Sequence, residues 1–442
     1  MRVGDGLAPS SVAKEGFGVL TQRPRGMHDI LPQEASLWHE IEEAARRICA
    51  RYGFSEVRTP ILEHTELFQR GVGENTDIVE KEMYTFNDRG GRSMTLRPEG
   101  TAGAVRAYVE HKFYGGPQPV KWFYLGPMFR YERPQAGRQR QFHQFGVEVF
   151  GVADPAVDAE VIALGLDFVE DIGLKGLRLE LNSVGCSQCR PVYRERLLAY
   201  YRPLREQLCE DCQGRLERNP LRLLDCKRET CKALAQRAPR IGEALCDECR
   251  AHDEGLHRHL DAAGIAYEIN PRLVRGLDYY TRTAFEVVEE GIGAQGTVLG
   301  GGRYNGLVEE LGGPSVPGIG FAAGLERLIL ALAQRRGEGA SEAGVDVFGI
   351  ALGDEASVEL TGWLRRLRAL GCRAERGFEG KSLKAQLKAA DRLGARWALI
   401  LGEEERRRGV VIVKDLTGGE QRELPALELE SWWKETEHGT GR

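Results

Sequence analysis

The sequence predicts an α+β chain of several domains, sheet-dominated in its first part, broken by a helical cysteine-rich insertion and closed by a smaller α/β domain. Three observations carry this reading. The chain has 442 residues, and at roughly 150 residues per domain that length suggests about three domains. Eight of its ten cysteines fall between Cys186 and Cys249. Beyond Val345, stretches of strand character alternate with stretches of helical period, as in a partly parallel sheet.

The elements follow in order. Residues 1–22 are rich in Gly and Ser and read as a flexible tail. They lack the basic start and apolar centre of a secretory signal, so the chain is expected in the cytoplasm. From Gln33 to Tyr52 the apolar residues Leu37, Ile41, Ala44, Ala45 and Ile48 recur at steps of three and four, predicting an amphipathic helix. Gly53 to Glu63, Ser93 to Arg97, Lys121 to Arg133 and Gln139 to Phe150 are rich in β-branched and aromatic residues and predict strands. Asp158 to Ile172 is helical in period, and Leu177 to Leu181 alternates as a strand. Residues 184–262 then break the pattern with charged helical segments, Tyr193 to Cys209 and Ile241 to Ala262. Strand signals resume at Tyr267 to Ile269 and Ala284 to Glu289, and Phe321 to Arg335 reads as a helix entered from glycines. Residues 337–344 are the best linker. After them come a strand at Val345 to Leu352, helices at Glu355 to Leu370 and Ser382 to Leu393, and strands at Trp397 to Leu401 and Val410 to Lys414.

Composition excludes several functions. No run of 18 apolar residues occurs, so a membrane-spanning helix is ruled out. The net charge is −5, so contact with a polyanion must come from local basic patches. One such patch lies between Lys121 and Arg140, where Lys121, Arg130, Arg133, Arg138 and Arg140 face a single acid, Glu132. Guanidinium groups bind phosphate oxygens in pairs, so this hairpin suits phosphate. In the strand that follows, Phe142, Gln144, Gly146 and Glu148 project from one face, and His143, Phe145, Val147 and Val149 from the other. The second face is core. The first sets an amide and a carboxylate beside an aromatic ring, which suits either solvent or a polar ligand.

Three stretches in order resemble the signature motifs of the class II aminoacyl-tRNA synthetases. They are Gly53-Phe54 with Val57 and Pro60-Ile61-Leu62, Phe129-Arg130-Tyr131-Glu132 with Phe142, and Gly318-Ile319-Gly320-Phe321 with Gly324-Leu325-Glu326-Arg327-Leu328. Leu273 to Tyr280, Thr95 to Thr101 and Arg23 to Asp29 are similar to segments of the histidine-specific branch of that family. The resemblance implies a catalytic domain on an antiparallel sheet, split into residues 23–183 and 263–336, and an anticodon-binding domain at 345–442. It further implies ATP and Mg²⁺, L-histidine and tRNA(His) as substrates, and a homodimer formed through the first motif.

Carried over by position, Arg130 would hold the α-phosphate of ATP, Arg327 the γ-phosphate, Phe142 would stack on adenine and Glu132 would face its amino group. Arg275 would join Arg130 at the α-phosphate, where charge builds as the histidine carboxylate attacks. Glu148 and Tyr280, with Tyr279 beside them, would read the imidazole, and Glu99, Thr101 and Gln144 would hold the amino-acid backbone. Arg133, Gln135, Arg138 and Arg140 are candidates for the tRNA acceptor end. Lys381, Lys384, Lys388 and Arg392 recur at helical steps and are candidates for the anticodon side, where phosphate contacts would be salt-dependent. The glycines at 300–302 and 318–324 suit either close approach to a ligand or tight turns.

The insertion contains Cys186-x₂-Cys189, Cys209-x₂-Cys212, Cys226-x₄-Cys231 and Cys246-x₂-Cys249. Thiols at this spacing suit tetrahedral zinc, and eight make up two four-cysteine sites. The other reading is free thiols in a small helical insert. A different function class is also open, because synthetase paralogues act as non-catalytic regulators. Such proteins lose motif arginines or the last domain, whereas Arg130, Arg275 and Arg327 are present here and a C-terminal α/β domain follows.

Overall fold

The computed structural model describes residues 21–73, 76–289, 296–336, 344–378 and 381–438. Most of the expected tail, and the expected linker apart from Gly344, lie outside the described residues. The chain divides into two compact units, residues 1–338 and 339–442.

The first unit is built on an eight-stranded sheet. Its strands in chain order are β1 (Ser55–Glu56), β2 (Val120–Phe129), β3 (Gln141–Phe150), β4 (Arg178–Ser183), β5 (Glu268–Ile269), β6 (Thr281–Val288), β7 (Thr297–Arg303) and β8 (Gly318–Gly324). In space they run β1-β2-β3-β8-β7-β6-β4-β5. The six central strands are antiparallel, and only the short edge strands β1 and β5 pair in parallel. A small sheet of Leu62–His64, Ser93–Leu96 and Tyr84–Asn87 stands apart from it.

One face of the large sheet carries the core. The helix Pro32–Arg51 presents Trp38, Ile41, Ala45 and Ile48, and the helix Pro155–Asp171 presents Val161, Ile162 and Phe168. They pack on Phe145, Val147 and Val149 of β3, Phe285 and Val287 of β6, and Phe321 of β8. Each of these large side chains contributes about 1.5–3 kcal/mol by leaving water. The alternation expected along β3 thus holds, and Phe142, Gln144, Gly146 and Glu148 are left to the opposite face. Beneath the core lies a satisfied buried ion pair. Arg303 donates to Asp158 Oδ2 at 3.0 Å and to the Val152 carbonyl at 2.9 Å, while the Thr283 hydroxyl donates to the same carboxylate at 2.6 Å.

Several expected elements differ. Residues 321–324 are not helical: β8 occupies 318–324, and the helix begins at Leu325. Its glycines conceal the strand because they are there for clearance. A Cβ on Gly320 would collide with the Glu148 carboxylate, and one on Gly300 in β7 would meet the Arg275 guanidinium, its Cζ at 2.8 Å. The glycines at 300–302 are therefore strand interior rather than turn. The strand expected at Lys121 to Arg133 ends at Phe129, where the Arg130 N–H meets the Arg140 carbonyl at 2.9 Å and the hairpin loop opens. Gly53 to Glu63 gives two short strands separated by Pro60.

The insertion runs between β4 and β5 and has an apolar cluster of its own, including Tyr193, Leu197, Tyr201, Leu208, Leu223 and Ile241. Its helices include Cys189–Tyr201 and Asp247–Ala262.

The second unit is a five-stranded sheet in the order Ala374–Arg376, Val347–Leu352, Trp397–Gly402, Val410–Asp415, Gln421–Pro425. Its first three strands are parallel and its last two antiparallel. The helix Leu383–Arg392 starts after Ser382, whose hydroxyl accepts from the Ala385 N–H. Lys381 therefore precedes the helix rather than sharing its face. Lys384, Lys388 and Arg392 lie along its exposed side, opposite the buried Gln386 and Ala390.

Candidate active site

On the face of the large sheet away from the core lies a cleft of about 1070 Å³. It gathers residues from distant parts of the sequence. Arg130, Glu132 and Arg138 enter from the hairpin, and Phe142, Gln144 and Glu148 from β3. Glu99 and Thr101 lie at the start of the helix Thr101–Glu110, Arg275, Tyr279 and Tyr280 on the segment before β6, and Arg327 on the helix after β8. The expected ATP and histidine residues thus share one cavity.

At its inner end Glu148 is almost fully buried, at 1% exposure. Tyr304 donates to its Oε2 at 2.5 Å and Tyr124 to its Oε1 at 3.4 Å. Burial, and to a lesser degree the nearby Glu99, push its carboxyl up to about 8, although these hydroxyls oppose the shift. A Cβ on Gly146 would strike the Tyr124 ring, so that glycine makes room for the tyrosine that holds Glu148. Glu99 is also buried and its carboxyl is raised by desolvation. Its two oxygens accept from the Thr101 N–H at 2.7 Å and the Ala102 N–H at 2.8 Å, which caps the helix and fixes the carboxylate at the cleft.

The wider end is lined by arginines. Arg275 pairs with Glu286 of β6, and its guanidinium lies over the Tyr280 ring at 5.6 Å. Burial disfavours its charge, but Glu286, Tyr280 and Tyr279 together outweigh that and hold it above the ordinary arginine value. Arg327 donates to the Thr297 carbonyl at 2.7 Å; burial, then the nearby Arg138, lower its affinity for its proton. Arg130 donates to the Pro98 carbonyl at 2.8 Å and its guanidinium sits 5.1 Å from the Phe142 ring. Arg138 pairs with Glu132 at 3.3 Å. Two buried polar atoms here, Arg275 Nε and Gln144 Oε1, have no hydrogen-bond partner among the described residues. Buried groups of this kind are costly unless something meets them.

Of the residues proposed for the acceptor end, Arg133 and Gln135 are exposed on the hairpin loop, whereas Arg140 stacks on Tyr131 at 3.6 Å. The sequence reading missed Glu286, Tyr304 and Tyr124. The period-two pattern of β6, which puts Ala284, Glu286 and Val288 on one face, is the signal that would have found Glu286.

In the insertion the thiols form two groups, Cys186, Cys189, Cys246 and Cys249, and Cys209, Cys212, Cys226 and Cys231. The segment joining the second group touches the cleft: Arg222 donates to the Arg275 carbonyl at 3.4 Å, and Arg215 to Asp77 at 3.0 Å.

Comparison with known proteins gives a consistent result. A family model described as histidyl-tRNA synthetase matches residues 26–189 and 206–328, and one described as an anticodon binding domain matches 346–436. The chain is 58% identical over 412 residues to a histidine–tRNA ligase of Desulforamulus reducens, covering 93% of this chain and 98% of that one. A histidine–tRNA ligase of Desulfitobacterium hafniense is 57% identical over 420 residues, covering 95% and 99%. The crystal structure of apo histidyl-tRNA synthetase from S. aureus superposes with a TM-score of 0.79 at 42% identity, covering 94% of this chain and all of that one.

Proposed function

Since this chain belongs to the histidyl-tRNA synthetase family, a class II aminoacyl-tRNA synthetase family of histidine–tRNA ligases, we propose that the cleft residues divide its reaction as follows. The regulatory reading is not favoured, because identity to ligases extends across nearly the whole chain.

In the first step a carboxylate oxygen of histidine bonds to the α-phosphorus of ATP. The bond from that phosphorus to the bridging oxygen breaks, and pyrophosphate leaves with the electron pair. Such a displacement asks for positioning and for fixed positive charge at the phosphoryl oxygens. Arg130 and Arg275 supply that charge at the α-phosphate and Arg327 at the γ-phosphate, with adenine against Phe142 and its amino group toward Glu132. Glu148 and Tyr280, with Tyr279 behind them, accept and orient the imidazole. Glu99, Thr101 and Gln144 hold the α-ammonium group. In the second step the terminal ribose hydroxyl of tRNA(His) attacks the carbonyl carbon of histidyl-adenylate and AMP departs. Arg133 and Gln135 are the exposed hairpin groups that can meet the acceptor end. Lys384, Lys388 and Arg392 are the exposed basic row for the anticodon side.

Synthetases of this class use ATP with Mg²⁺, which when bound would neutralise part of the phosphate charge. A hard cation needs oxygen donors, and Glu286 offers them beside Arg275 and the Thr297 hydroxyl, which donates to it at 2.7 Å. A homodimer is part of the same reading. Ile61 and Leu62, on the first motif, are 44% and 41% exposed on the single chain, and a second copy would cover them. Sedimentation as a monomer at micromolar concentration would remove that inference. No helix of the described residues is long and apolar enough to cross a membrane, and ATP and tRNA as substrates place the reaction in the cytoplasm.

The observation that carries the assignment is the adjacency of a buried carboxylate walled by tyrosine hydroxyls to a cluster of cleft arginines. A site of buried hydrogen-bonding groups rejects apolar amino acids strongly, since they leave those groups unpaired. ATP–pyrophosphate exchange run with each of the twenty amino acids tests this. Exchange should require histidine, and exchange supported by another amino acid instead would refute the assignment.

A further inference from the structure

We propose that the insertion binds two zinc ions, each through four cysteine thiolates, in two sets nested along the chain. The outer ion takes Cys186, Cys189, Cys246 and Cys249, and the inner ion takes Cys209, Cys212, Cys226 and Cys231. Within each set all four sulfurs lie within 4.8 Å of one another. Cys186 Sγ is 3.6 Å from Cys189 Sγ and 3.8 Å from Cys246 Sγ, and Cys209 Sγ is 3.8 Å from Cys226 Sγ. A tetrahedron with zinc–sulfur bonds of about 2.3 Å has edges of about 3.8 Å. A disulfide would bring two sulfurs to about 2.05 Å, and none of the eight cysteines of the insertion is disulfide-bonded.

Backbone donors face the sulfurs in each set. The Cys246 N–H donates to Cys189 Sγ at 3.1 Å and the Cys209 N–H to Cys231 Sγ at 3.3 Å. Backbone donors of this kind orient metal-bound sulfur and take up part of its charge. Simple packing explains the clusters poorly. A buried thiol used only as core filler stands alone, as Cys49 does among Ile41, Ala45 and Ile48. Here eight thiols gather into two closed fours, with one pair of each four half-exposed and the other buried.

The two ions would do different structural work. The outer set joins the start of the insertion, just after β4, to the head of its last helix, so it ties entry to exit. The inner set closes the loop that carries Arg215, Asn219 and Arg222. These side chains reach Asp77, Asp278 and the Arg275 carbonyl. The inner ion therefore fixes the wall against which the Arg275 segment rests.

Full-length protein purified under reducing conditions without chelator should carry about two zinc ions per chain by elemental analysis. All ten thiols should titrate once the metal is stripped in denaturant. Cobalt-substituted protein should show the intense ligand-field and sulfur-to-metal bands of tetrahedral tetrathiolate sites. The double variants Cys186→Ser with Cys189→Ser, and Cys209→Ser with Cys212→Ser, should each retain about one ion. Zinc below about 0.2 equivalents after incubation with stoichiometric zinc would overturn the proposal, as would disulfides in the reduced preparation. About one equivalent in the parent protein would overturn the two-site assignment. Should a variant fail to fold, the stoichiometry and cobalt spectrum of the parent chain decide the matter alone.

Discussion

Replacing Glu148 by Gln tests the heart of the site, because it removes one charge and almost no volume. The side chain is buried, accepts from Tyr304 and Tyr124, and has its carboxyl pushed up to about 8. In the proposed reaction it accepts an imidazole N–H as the anion. A hydrogen bond to a charged group is worth about 1.5–3 kcal/mol, against roughly 1 kcal/mol between neutral groups. The Gln variant should therefore lose roughly 3- to 30-fold in kcat/KM for histidine, read by pyrophosphate exchange. The pH profile carries a second signature. With the resting carboxyl at about 8, it holds a proton at neutral pH that must leave when histidine binds, so affinity falls as pH drops through that value. Roughly a tenth of the groups are ionised at pH 7 and nine-tenths at pH 9, giving about a tenfold limb that the Gln variant should lack. Unfolding cannot mimic this. A carboxyl raised from its ordinary value of 4.5 makes the folded state bind protons more tightly than the unfolded state. It thus costs stability as pH rises from near 4.5 toward 8, and the Gln variant should be at least as stable as the parent at pH 8. A loss under threefold, or an unchanged limb, would refute the role given to Glu148.

Arg275→Ala should leave the fold intact, since Glu286 is partly exposed and keeps the Thr297 hydroxyl, yet cut exchange by about 10²–10³, the cost of losing one preorganised donor; a fall under tenfold contradicts its place at the α-phosphate. A chain ending at residue 338 should keep part of its histidine-dependent exchange while tRNA charging collapses, and equal loss of both in a folded truncation would refute the division of labour between the units. Asp158→Ala strands the fully buried Arg303 and should cost about 3–5 kcal/mol in denaturant unfolding, with Asp158→Asn milder. A loss below about 1 kcal/mol would mean that solvent reaches the pair.

What the sequence disclosed and what it hid follow one physical rule. Short-range periodicity was readable: the helix at 32–51 and the two faces of β3 emerged from spacing alone, because each element's burial repeats within a few residues. Partners supplied by distant strands were not. In the sheet Glu148 lies opposite Gly320, and Gly300 opposite Glu286, across separations that no local pattern encodes. β7 and β8 were hidden for the same reason, since their glycines answer to side chains arriving from elsewhere in the chain. Lys381 falls outside the helix because Ser382 caps it and Leu383 is its first residue. The tyrosines around Glu148 and the Asp158–Arg303 pair left no trace in spacing, since each joins segments more than twenty residues apart.

The two ends of the cleft also differ in how their charge is compensated, and that difference bears on how phosphate is received. Arg275 already has a carboxylate partner in Glu286, so a phosphate arriving there would exchange one anion for another. Among the described residues Arg327 hydrogen-bonds the Thr297 carbonyl, and burial, then Arg138, work against its charge more than Glu132 and Glu286 favour it. In the proposed arrangement an anion at that end would relieve an existing electrostatic cost rather than replace a partner, so the terminal phosphates would gain most of the binding energy there. In the same arrangement the α-phosphate end would gain less in the ground state, because its arginine would give up Glu286. Its full benefit comes as negative charge grows on the phosphoryl oxygens during displacement, which is where a catalyst profits from holding energy in reserve.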